Sequence, residues 1–324
     1  MTQYPLTKKE IEEAHERIFP FINRTPVMQS GTLDSYAGCK LYFKCENFQK
    51  VGAFKARGAV NAVFSLSKEE RQKGVSTHSS GNHAQALAYA AGLSGIPAWI
   101  VMPETAPQVK KDAVKGYGGK IIECAPTLEA RESTLDKVVA ETGAHVVHPY
   151  NDPRIIAGQA TAAVELMEEV NDLDAIITPV GGGGLLSGTV LSAHYFSTGV
   201  RVYAGEPKGA DDAFRSLEKG EIVPSVGPNT IADGLLTSLG GLNFDIIMQG
   251  VESIITVSDE EIIAAMRWLW ERMKIIVEPS GAVPLAAVLR RKEIFEGKKV
   301  GVIISGGNVG LEDFFDGIKR KDSL

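Results

Sequence analysis

The chain has 324 residues, of which 44% are hydrophobic and 23% charged, and its formal net charge is −6. This composition is typical of a globular protein with a substantial core, and the negative charge gives no support to binding of nucleic acid. The N-terminus lacks the apolar stretch of a secretion signal, and no run approaches the ~18 apolar residues that span a bilayer, so we expect a cytoplasmic protein without a membrane segment.

The predicted elements alternate between helices and short apolar strands. Thr7 and Glu10 form a capping-box pattern that opens a helix over residues 8–18. Further strands are predicted over residues 41–45, 97–102, 120–124, 145–148, 175–180, 201–205 and 299–304. Further helices are predicted over residues 54–66, 108–117, 128–141, 154–169 and 260–273, with another after residue 184. Such alternation indicates parallel sheets covered by helices on both faces, so we predict an α/β fold.

Four turns rich in glycine or serine are candidate ligand sites. They are residues 51–55, 79–83, 181–184 and 305–308, and each lies after a predicted strand or at the start of a predicted helix. In parallel sheets of α/β proteins, ligands bind beyond the carboxyl ends of the strands. We therefore expect these turns to converge on one site.

The tetraglycine turn consists of Gly181, Gly182, Gly183 and Gly184, between an apolar strand and a helix. Successive backbone N–H groups at a helix N-terminus favour an anion. The Gly-Lys-Ser/Thr signature of a P-loop is absent, and the position does not fit a dinucleotide fingerprint. The preferred interpretation is a site for a single phosphate group, and a plain flexible turn is the alternative.

Lys55 is surrounded by small and apolar residues at a predicted helix start, in the segment GAFKARGA over residues 52–59. Burial and the positive end of a helix both lower the pKa of an ammonium group, which suits a lysine that forms an imine. Taken by itself, an ordinary solvent-facing lysine remains the alternative.

Four motifs occur here in one order: GAFKARGA (52–59), SSGNHA (79–84), GGGG (181–184) and SGGN (305–308). Together they resemble the fold type II (tryptophan synthase β-like) pyridoxal-phosphate enzymes, and within them the serine racemase and serine/threonine dehydratase family. The resemblance runs from about residue 7 to the end of the chain. It implies a small domain over residues 52–148, a large domain formed by residues 1–51 and 149–324, and a homodimer.

The resemblance also implies which residues bind pyridoxal 5′-phosphate. Lys55 would carry the cofactor as an imine and take the Cα proton, and Phe54 would pack on the cofactor ring. The tetraglycine turn would hold the phosphate, Asn82 the phenolic oxygen, and Ser305 the pyridine nitrogen. Because a hydroxyl cannot keep that nitrogen protonated as a carboxylate would, Ser305 favours elimination or racemisation over transamination.

For the substrate, Ser80 matches the serine that faces Cα opposite the lysine. Lys55 and Ser80 would then exchange protons on the two faces. The further substrate contacts that the resemblance implies are Ser79, Asn82, His83, Arg131 and Thr237. Capping of the following helix is the alternative for Ser80, and a solvated helix face is the alternative for Arg131.

The activity implied by the resemblance is interconversion of L- and D-serine together with β-elimination to pyruvate and ammonia. Dehydration of L-threonine or L-threo-3-hydroxyaspartate is the nearest alternative. The distant alternatives are a nicotinamide-dependent oxidoreductase and a non-catalytic phosphate-ligand binder.

A divalent-cation site is implied after residue 205. The side chains of Glu206 and Asp212 and the carbonyl of Ala210 resemble the racemase metal site, and hard cations prefer such oxygen ligands. The expected ion is Mg²⁺, with Mn²⁺ or Ca²⁺ as alternatives. Capping of the next helix by Asp211 or Asp212 is the structural alternative.

Regulation by ATP is left open. Lys50, Tyr117 and Asn308 match parts of the nucleotide site of animal racemases, whereas Val51 and Gly31 replace polar positions there. Glu278 lies in a segment that also resembles the family, but no role is assigned to it.

Overall fold

The computed structural model describes residues 4–310 together with 312, 314 and 315. Its strands are β1 (Val27–Met28), β2 (Lys40–Cys45), β3 (Val75–His78), β4 (Ala98–Pro103), β5 (Lys120–Cys124), β6 (His145–Val146), β7 (Ala175–Pro179), β8 (Arg201–Pro207), β9 (Val251–Val257) and β10 (Lys299–Ile304).

The α-helices of the described residues alternate with these strands. In chain order they are α1 (Lys8–Ile18), α2 (Gly31–Ala37), α3 (Lys55–Phe64), α4 (Lys68–Lys73), α5 (Asn82–Ser94), α6 (Gln108–Gly116), α7 (Leu128–Thr142), α8 (Pro153–Glu169), α9 (Gly184–Phe196), α10 (Asp212–Lys219), α11 (Gly241–Gly250), α12 (Asp259–Met273), α13 (Pro279–Arg290) and α14 (Lys292–Phe295). Across the described ranges, none of these helices is long and apolar enough to cross a membrane.

The larger sheet has the strand order β1-β2-β10-β7-β8-β9. Its neighbouring strands are parallel except for the pair β1 and β2. Every residue of β7 is buried, as expected for a central parallel strand that helices cover on both faces. The smaller sheet has the order β5-β4-β3-β6, and all its pairs are parallel. The predicted α/β class is therefore confirmed.

Helices α3 and α8 pack closely against each other. A Cβ atom on Gly158 of α8 would lie 2.6 Å from the Cα of Gly58 on α3, so the backbones approach as closely as two glycines allow. Gln159 Oε1 accepts a hydrogen bond from the Gly58 amide at 3.2 Å. This contact fixes α3, whose first residue is Lys55, against the helix that follows the smaller sheet.

The local sequence signals were accurate where the patterns were strong. The capping box of α1 is present, with Thr7 and Glu10 bonded reciprocally. The strand predicted over residues 145–148 is shorter, because only His145 and Val146 pair with β3. Strands β1, β3 and β9 were not predicted individually. In β3 the buried Ser76 and Thr77 interrupt the apolar run by which a central strand is recognised.

Candidate active site

A cavity of about 810 Å³ lies between the two sheets and is bordered by all four candidate turns. It is lined by every predicted cofactor-contacting and substrate-contacting residue, namely Phe54, Lys55, Ser79, Ser80, Asn82, His83, Arg131, Gly181, Gly182, Gly183, Gly184, Thr237 and Ser305. Pockets at the carboxyl ends of parallel strands are the expected ligand sites of such folds. The turns thus converge as the sequence analysis predicts.

Lys55 is positioned at the start of α3 by backbone contacts between the residues before it and the residues that follow β10. The Phe54 amide donates to Ser305 O at 2.9 Å, and Ala53 forms an isolated bridge with Gly306. The Lys55 Nζ donates to Pro149 O at 2.8 Å and lies 5.0 Å from the centre of the Phe54 ring. Burial lowers the pKa of Lys55 to about 8, against the opposing charge of Glu278. The side chain faces the cavity, so the solvent-facing alternative is wrong.

The tetraglycine turn is packed too tightly to carry side chains. Gly183 has a φ of +92°, a left-handed conformation that favours glycine. A Cβ on Gly182 would overlap the ring of Tyr150, and one on Gly183 would lie 2.8 Å from the Cβ of Asn243. Because α9 begins at Gly184, the first N–H groups of that helix have no partner within it. The turn is a fixed concave surface of amides, which is unlike a merely flexible connection.

The loop between β3 and α5 carries Ser79 and Ser80 into the cavity. The N-cap of α5 is Gly81, and no side chain caps this helix. The alternative role of Ser80 as a helix cap is therefore wrong. The Ser79 hydroxyl accepts from the Gly81 amide at 3.4 Å, while the Ser80 side chain makes no hydrogen bond to another described residue.

Glu278 was assigned no role from the sequence, yet it is the buried acid of the cavity, with 4% of its surface exposed. Asn82 Nδ2 donates to both carboxylate oxygens of Glu278, at 3.0 and 3.1 Å. The backbone N–H of Asn308 donates to Glu278 Oε2 at 3.1 Å. Asn308 Nδ2 also donates to Asn82 Oδ1 at 2.9 Å. Burial raises the pKa of Glu278 to about 7 despite these bonds. The three side chains orient one another around Asn82.

The histidines around the cavity are neutral. Burial and the charge of Lys55 lower the pKa of His83 to about 3, and its Nε2 lies 3.1 Å from Val147 O. Burial and His78 lower the pKa of His148 to about 4, and its Nδ1 accepts from the Asn151 amide at 2.9 Å. These rings therefore act through position and hydrogen bonding, because they carry no charge near neutral pH.

Arg131 and Thr237 lie on the cavity wall from different parts of the chain, in α7 and in the segment before α11. The Arg131 Nε is buried and has no hydrogen-bond partner among the described residues. Arg131 is half-buried, with its Nε on the protein side and the residue on the cavity lining. Thr237 is hydrogen-bonded to Tyr150, a cavity residue that the sequence analysis missed. No short motif contains Tyr150. The one sequence signal near it is Pro153, which begins the next helix.

The acidic turn lies apart from the cavity lining, at the end of β8. The Glu206 carboxylate accepts from the Ala213 and Phe214 amides, each at 2.8 Å. Glu206 thus caps α10. Asp211 occupies the N-cap position without a side-chain cap bond, and Asp212 is the first residue of the helix, so the alternative that either of them caps it is wrong.

The carboxylates of this turn are short of favourable partners. Burial, together with Asp212 and Asp211, raises the pKa of Glu206 to about 9, and burial raises that of Asp212 to about 6. The Asp212 Oδ2 is buried without a partner. The carbonyl of Ala210 belongs to the 3-10 turn between them. No group of three or more His, Cys, Asp or Glu side chains suited to a metal occurs within the described ranges.

The three residues that match a nucleotide site have different environments. Lys50 is exposed, and the Tyr117 ring packs edge-on against Tyr89 with centroids 5.7 Å apart. Asn308 lines the cavity and donates to Val51 O at 2.7 Å.

Comparison with known proteins gives consistent findings. Residues 18–306 match the sequence model of the family described as pyridoxal-phosphate dependent enzyme. The chain is 54% identical to β-hydroxyaspartate dehydratase of Paracoccus denitrificans, over 95% of this chain and 98% of that protein. It is 53% identical to serine racemase of Dictyostelium discoideum, over 94% of this chain and 96% of that protein. The structure of maize serine racemase superimposes with a TM-score of 0.94 at 47% identity, covering 97% of each chain.

Proposed function

The chain belongs to the family of pyridoxal-phosphate-dependent enzymes, and from this premise we propose that it acts on serine-like amino acids. The proposed reactions are interconversion of L- and D-serine and β-elimination of serine to pyruvate and ammonia. The observation that carries the proposal is the Lys55 amine, whose pKa is lowered to about 8 and which faces the same cavity as the tetraglycine turn. Relatives named serine racemase and β-hydroxyaspartate dehydratase support it, since both reactions begin with loss of the Cα proton.

The residues present fit the cofactor. The tetraglycine turn offers amides and a helix N-terminus to a phosphate where no side chain can enter. Lys55 offers an amine to the same cavity, with Phe54, Asn82 and Ser305 on its lining. When bound, pyridoxal phosphate supplies an electron sink that acidifies the Cα proton of the amino acid.

The protein's own groups would then move the protons. The amine of Lys55 removes the Cα proton from one face, and the hydroxyl of Ser80 serves the opposite face. His83 positions the substrate, because its ring is neutral and already bonded to Val147 O. Return of a proton at Cα gives racemisation, and loss of the β-hydroxyl gives elimination, so the ratio of products depends on which is faster.

A second candidate substrate, L-threo-3-hydroxyaspartate, is favoured by Arg131. Its buried Nε has no partner among the described residues, so the guanidinium is available to a carboxylate in the cavity. Serine has only the α-carboxylate, whereas 3-hydroxyaspartate brings a second one. The relative from Paracoccus denitrificans carries the name of this activity.

The test is chiral product analysis of the holoenzyme with L-serine, L-threonine and L-threo-3-hydroxyaspartate. We expect D-serine and pyruvate from L-serine, and Ser80→Ala should abolish D-serine while some pyruvate formation survives. Arg131→Met should lower kcat/KM for 3-hydroxyaspartate more than for serine. Absence of any product from all three substrates, in a preparation that contains the cofactor, would overturn the proposal.

We also propose that a divalent cation, Mg²⁺ or else Mn²⁺ or Ca²⁺, is held by Glu206, the Ala210 carbonyl and Asp212. The buried, unpartnered Asp212 Oδ2 supports this assignment, because a cation would satisfy it. Mg²⁺ should raise the melting temperature of the protein, and Asp212→Asn should remove that effect. Asp136→Asn, on the exposed face of α7, is the matched control. An identical Mg²⁺ response in Asp212→Asn would contradict the assignment.

The remaining expectations stay proposals. The small domain over residues 52–148 closes over the substrate, and the protein acts as a cytoplasmic homodimer. The smaller sheet, which begins with β3 and ends with β6, lies within those bounds and supports the division. An ATP effector would contact Lys50, Tyr117 and Asn308, the residues that match a nucleotide site.

A further inference from the structure

Tyr150 lies on the cavity lining in the segment that joins β6 to α8. Its backbone is held on both sides: the N–H donates to His148 Nδ1 at 3.3 Å, and the carbonyl accepts from Asn243 Nδ2 at 3.1 Å. The same Asn243 amide donates to Gly182 O at 2.8 Å. Tyr150 is therefore fixed relative to the tetraglycine turn.

The Tyr150 side chain runs from this turn towards Thr237. Its ring occupies the space that a Cβ on Gly182 would need, and the Thr237 side chain, which lines the same cavity, interacts with its hydroxyl. The preceding residue, Pro149, accepts the hydrogen bond from Lys55 Nζ at 2.8 Å. The Lys55 amine, the tetraglycine turn and the Tyr150 phenol are thus linked by these contacts, and all three border one cavity.

The phenol is a neutral donor. Burial raises the pKa of Tyr150, the hydrogen bond from Thr237 opposes this, and the charge of Asp212 adds to it. The group therefore keeps its proton at neutral pH. The neighbouring imidazoles cannot serve as cationic acids, because the pKa values of His83 and His148 are lowered to about 3 and about 4.

Elimination from a β-hydroxy amino acid needs an acid at the leaving oxygen, because hydroxide is a poor leaving group. In the proposed function, Lys55 and Ser80 are assigned to the two faces of Cα, and neither is assigned to Cβ. We propose that Tyr150 donates a hydrogen bond to the β-hydroxyl of the substrate and protonates it as the Cβ–O bond breaks. This inference rests on the proposed function and adds a catalytic residue to it.

The step balances as follows. The Cα proton passes to the Lys55 amine, and the electron pair it leaves forms the Cα=Cβ bond. The Cβ–O bond breaks, its electron pair stays on oxygen, and that oxygen takes the phenol proton and departs as water. The Lys55 ammonium then loses a proton to solvent, and the Tyr150 phenolate gains one from solvent, which restores both groups.

The test compares three reactions of Tyr150→Phe holoenzyme, in which only the hydroxyl is removed. Pyruvate formation from L-serine should fall about 100-fold or more, the range of general acid catalysis. Elimination of chloride from β-chloro-L-alanine should stay within about twofold, because chloride leaves without a proton. Exchange of the L-alanine Cα hydrogen in D₂O should also stay near the wild-type rate, since no group leaves.

Tyr89→Phe is the matched control, because the Tyr89 hydroxyl donates to Phe21 O at 2.7 Å and does not line the cavity. It should leave all three rates unchanged. An equal fall of the serine and chloroalanine rates in Tyr150→Phe would show a structural role and overturn the proposal, as would unchanged serine elimination. If the wild-type holoenzyme exchanged and eliminated none of these amino acids, the proposed function would be wrong as well; otherwise only the Tyr150 role would fall.

Discussion

Two cations at the start of α3, Arg57 and Lys55, have pKa values that are shifted in opposite directions. Arg57 is fully buried and donates to Glu46 and Glu165 through four hydrogen bonds of 2.8 Å. Burial lowers the pKa of Arg57, but the two carboxylates outweigh it, so the net shift is upward. Lys55, two residues earlier, donates to the Pro149 carbonyl and makes no ion pair within the described part of the chain, and burial lowers its pKa to about 8.

The difference shows that the partners of a buried cation decide what it can do. Lys44 joins the Arg57 group, with its Nζ 2.7 Å from Glu165 Oε2 and 3.6 Å from Glu169 Oε1. Two buried cations therefore face the buried carboxylates of Glu46 and Glu165 and the more exposed one of Glu169. The charges in such a cluster neutralise one another, so its members are not available as nucleophiles or bases. Removal of one member leaves an uncompensated buried charge. The amine of Lys55 lacks a carboxylate within hydrogen-bond distance, and an amine that readily loses its proton is a nucleophile.

The largest expected effect comes from removing the reactive cation. Lys55→Ala should lower the rate of the Cα reactions by about a thousandfold or more, because both the covalent attachment and the base are lost. A cofactor joined to lysine as an imine absorbs visible light and loses that band on reduction with borohydride, so Lys55→Ala should lack this band. Lys68→Ala, an exposed lysine of α4, should retain the band and the rate. A band of normal intensity in Lys55→Ala would place the cofactor on another amine.

Removing the inert cation should act on stability. In Arg57→Met, Glu46 and Glu165 stay buried with less compensation, so the free energy of unfolding should fall by about 3–5 kcal/mol. Urea unfolding at neutral pH measures this. Arg24→Met is the control, because the exposed ion pair of Arg24 with Glu168 is worth about 1 kcal/mol or less. Equal losses in the two variants would contradict the distinction between the buried and the exposed pair.

The smallest effect is a shift in pH dependence that tests the electrostatics of Lys55. Only the neutral amine forms an imine, so attachment of pyridoxal phosphate to the apoprotein should accelerate as the pH rises through about 8, well below the usual 10.5 for lysine. The charge of Glu278 raises the pKa of Lys55, so Glu278→Gln should move the midpoint to lower pH. Stopped-flow absorbance across a pH series measures the midpoint. A midpoint that moved upward would reverse the assigned sign.

The cavity could be anticipated because its signals are local. The glycines of residues 181–184, the lysine at 55 and the serines at 79 and 80 are each recognisable within a few residues, and strand ends place them on one side of parallel sheets. Arg57 lies within the motif over residues 52–59 and Glu278 in a segment that resembles the family, but no local pattern indicates a role for either of them or for Tyr150. Their partners come from distant segments, as in the bond between Asn82 and Glu278, which are 196 residues apart.

The sequence by itself thus determined the α/β class, the tetraglycine turn, the lysine and the family to which they belong, because periodicity and short motifs are properties of neighbouring residues. The tertiary structure decided which charges are paired and which polar groups are buried. Lys55 and Arg57 lie on one turn of one helix, and only the packing of α3 against α8 and the segment after β2 gives Arg57 two carboxylates and Lys55 none. Desolvation and ion pairing depend on contacts across the chain, and so the pKa values that govern the chemistry are set by the fold.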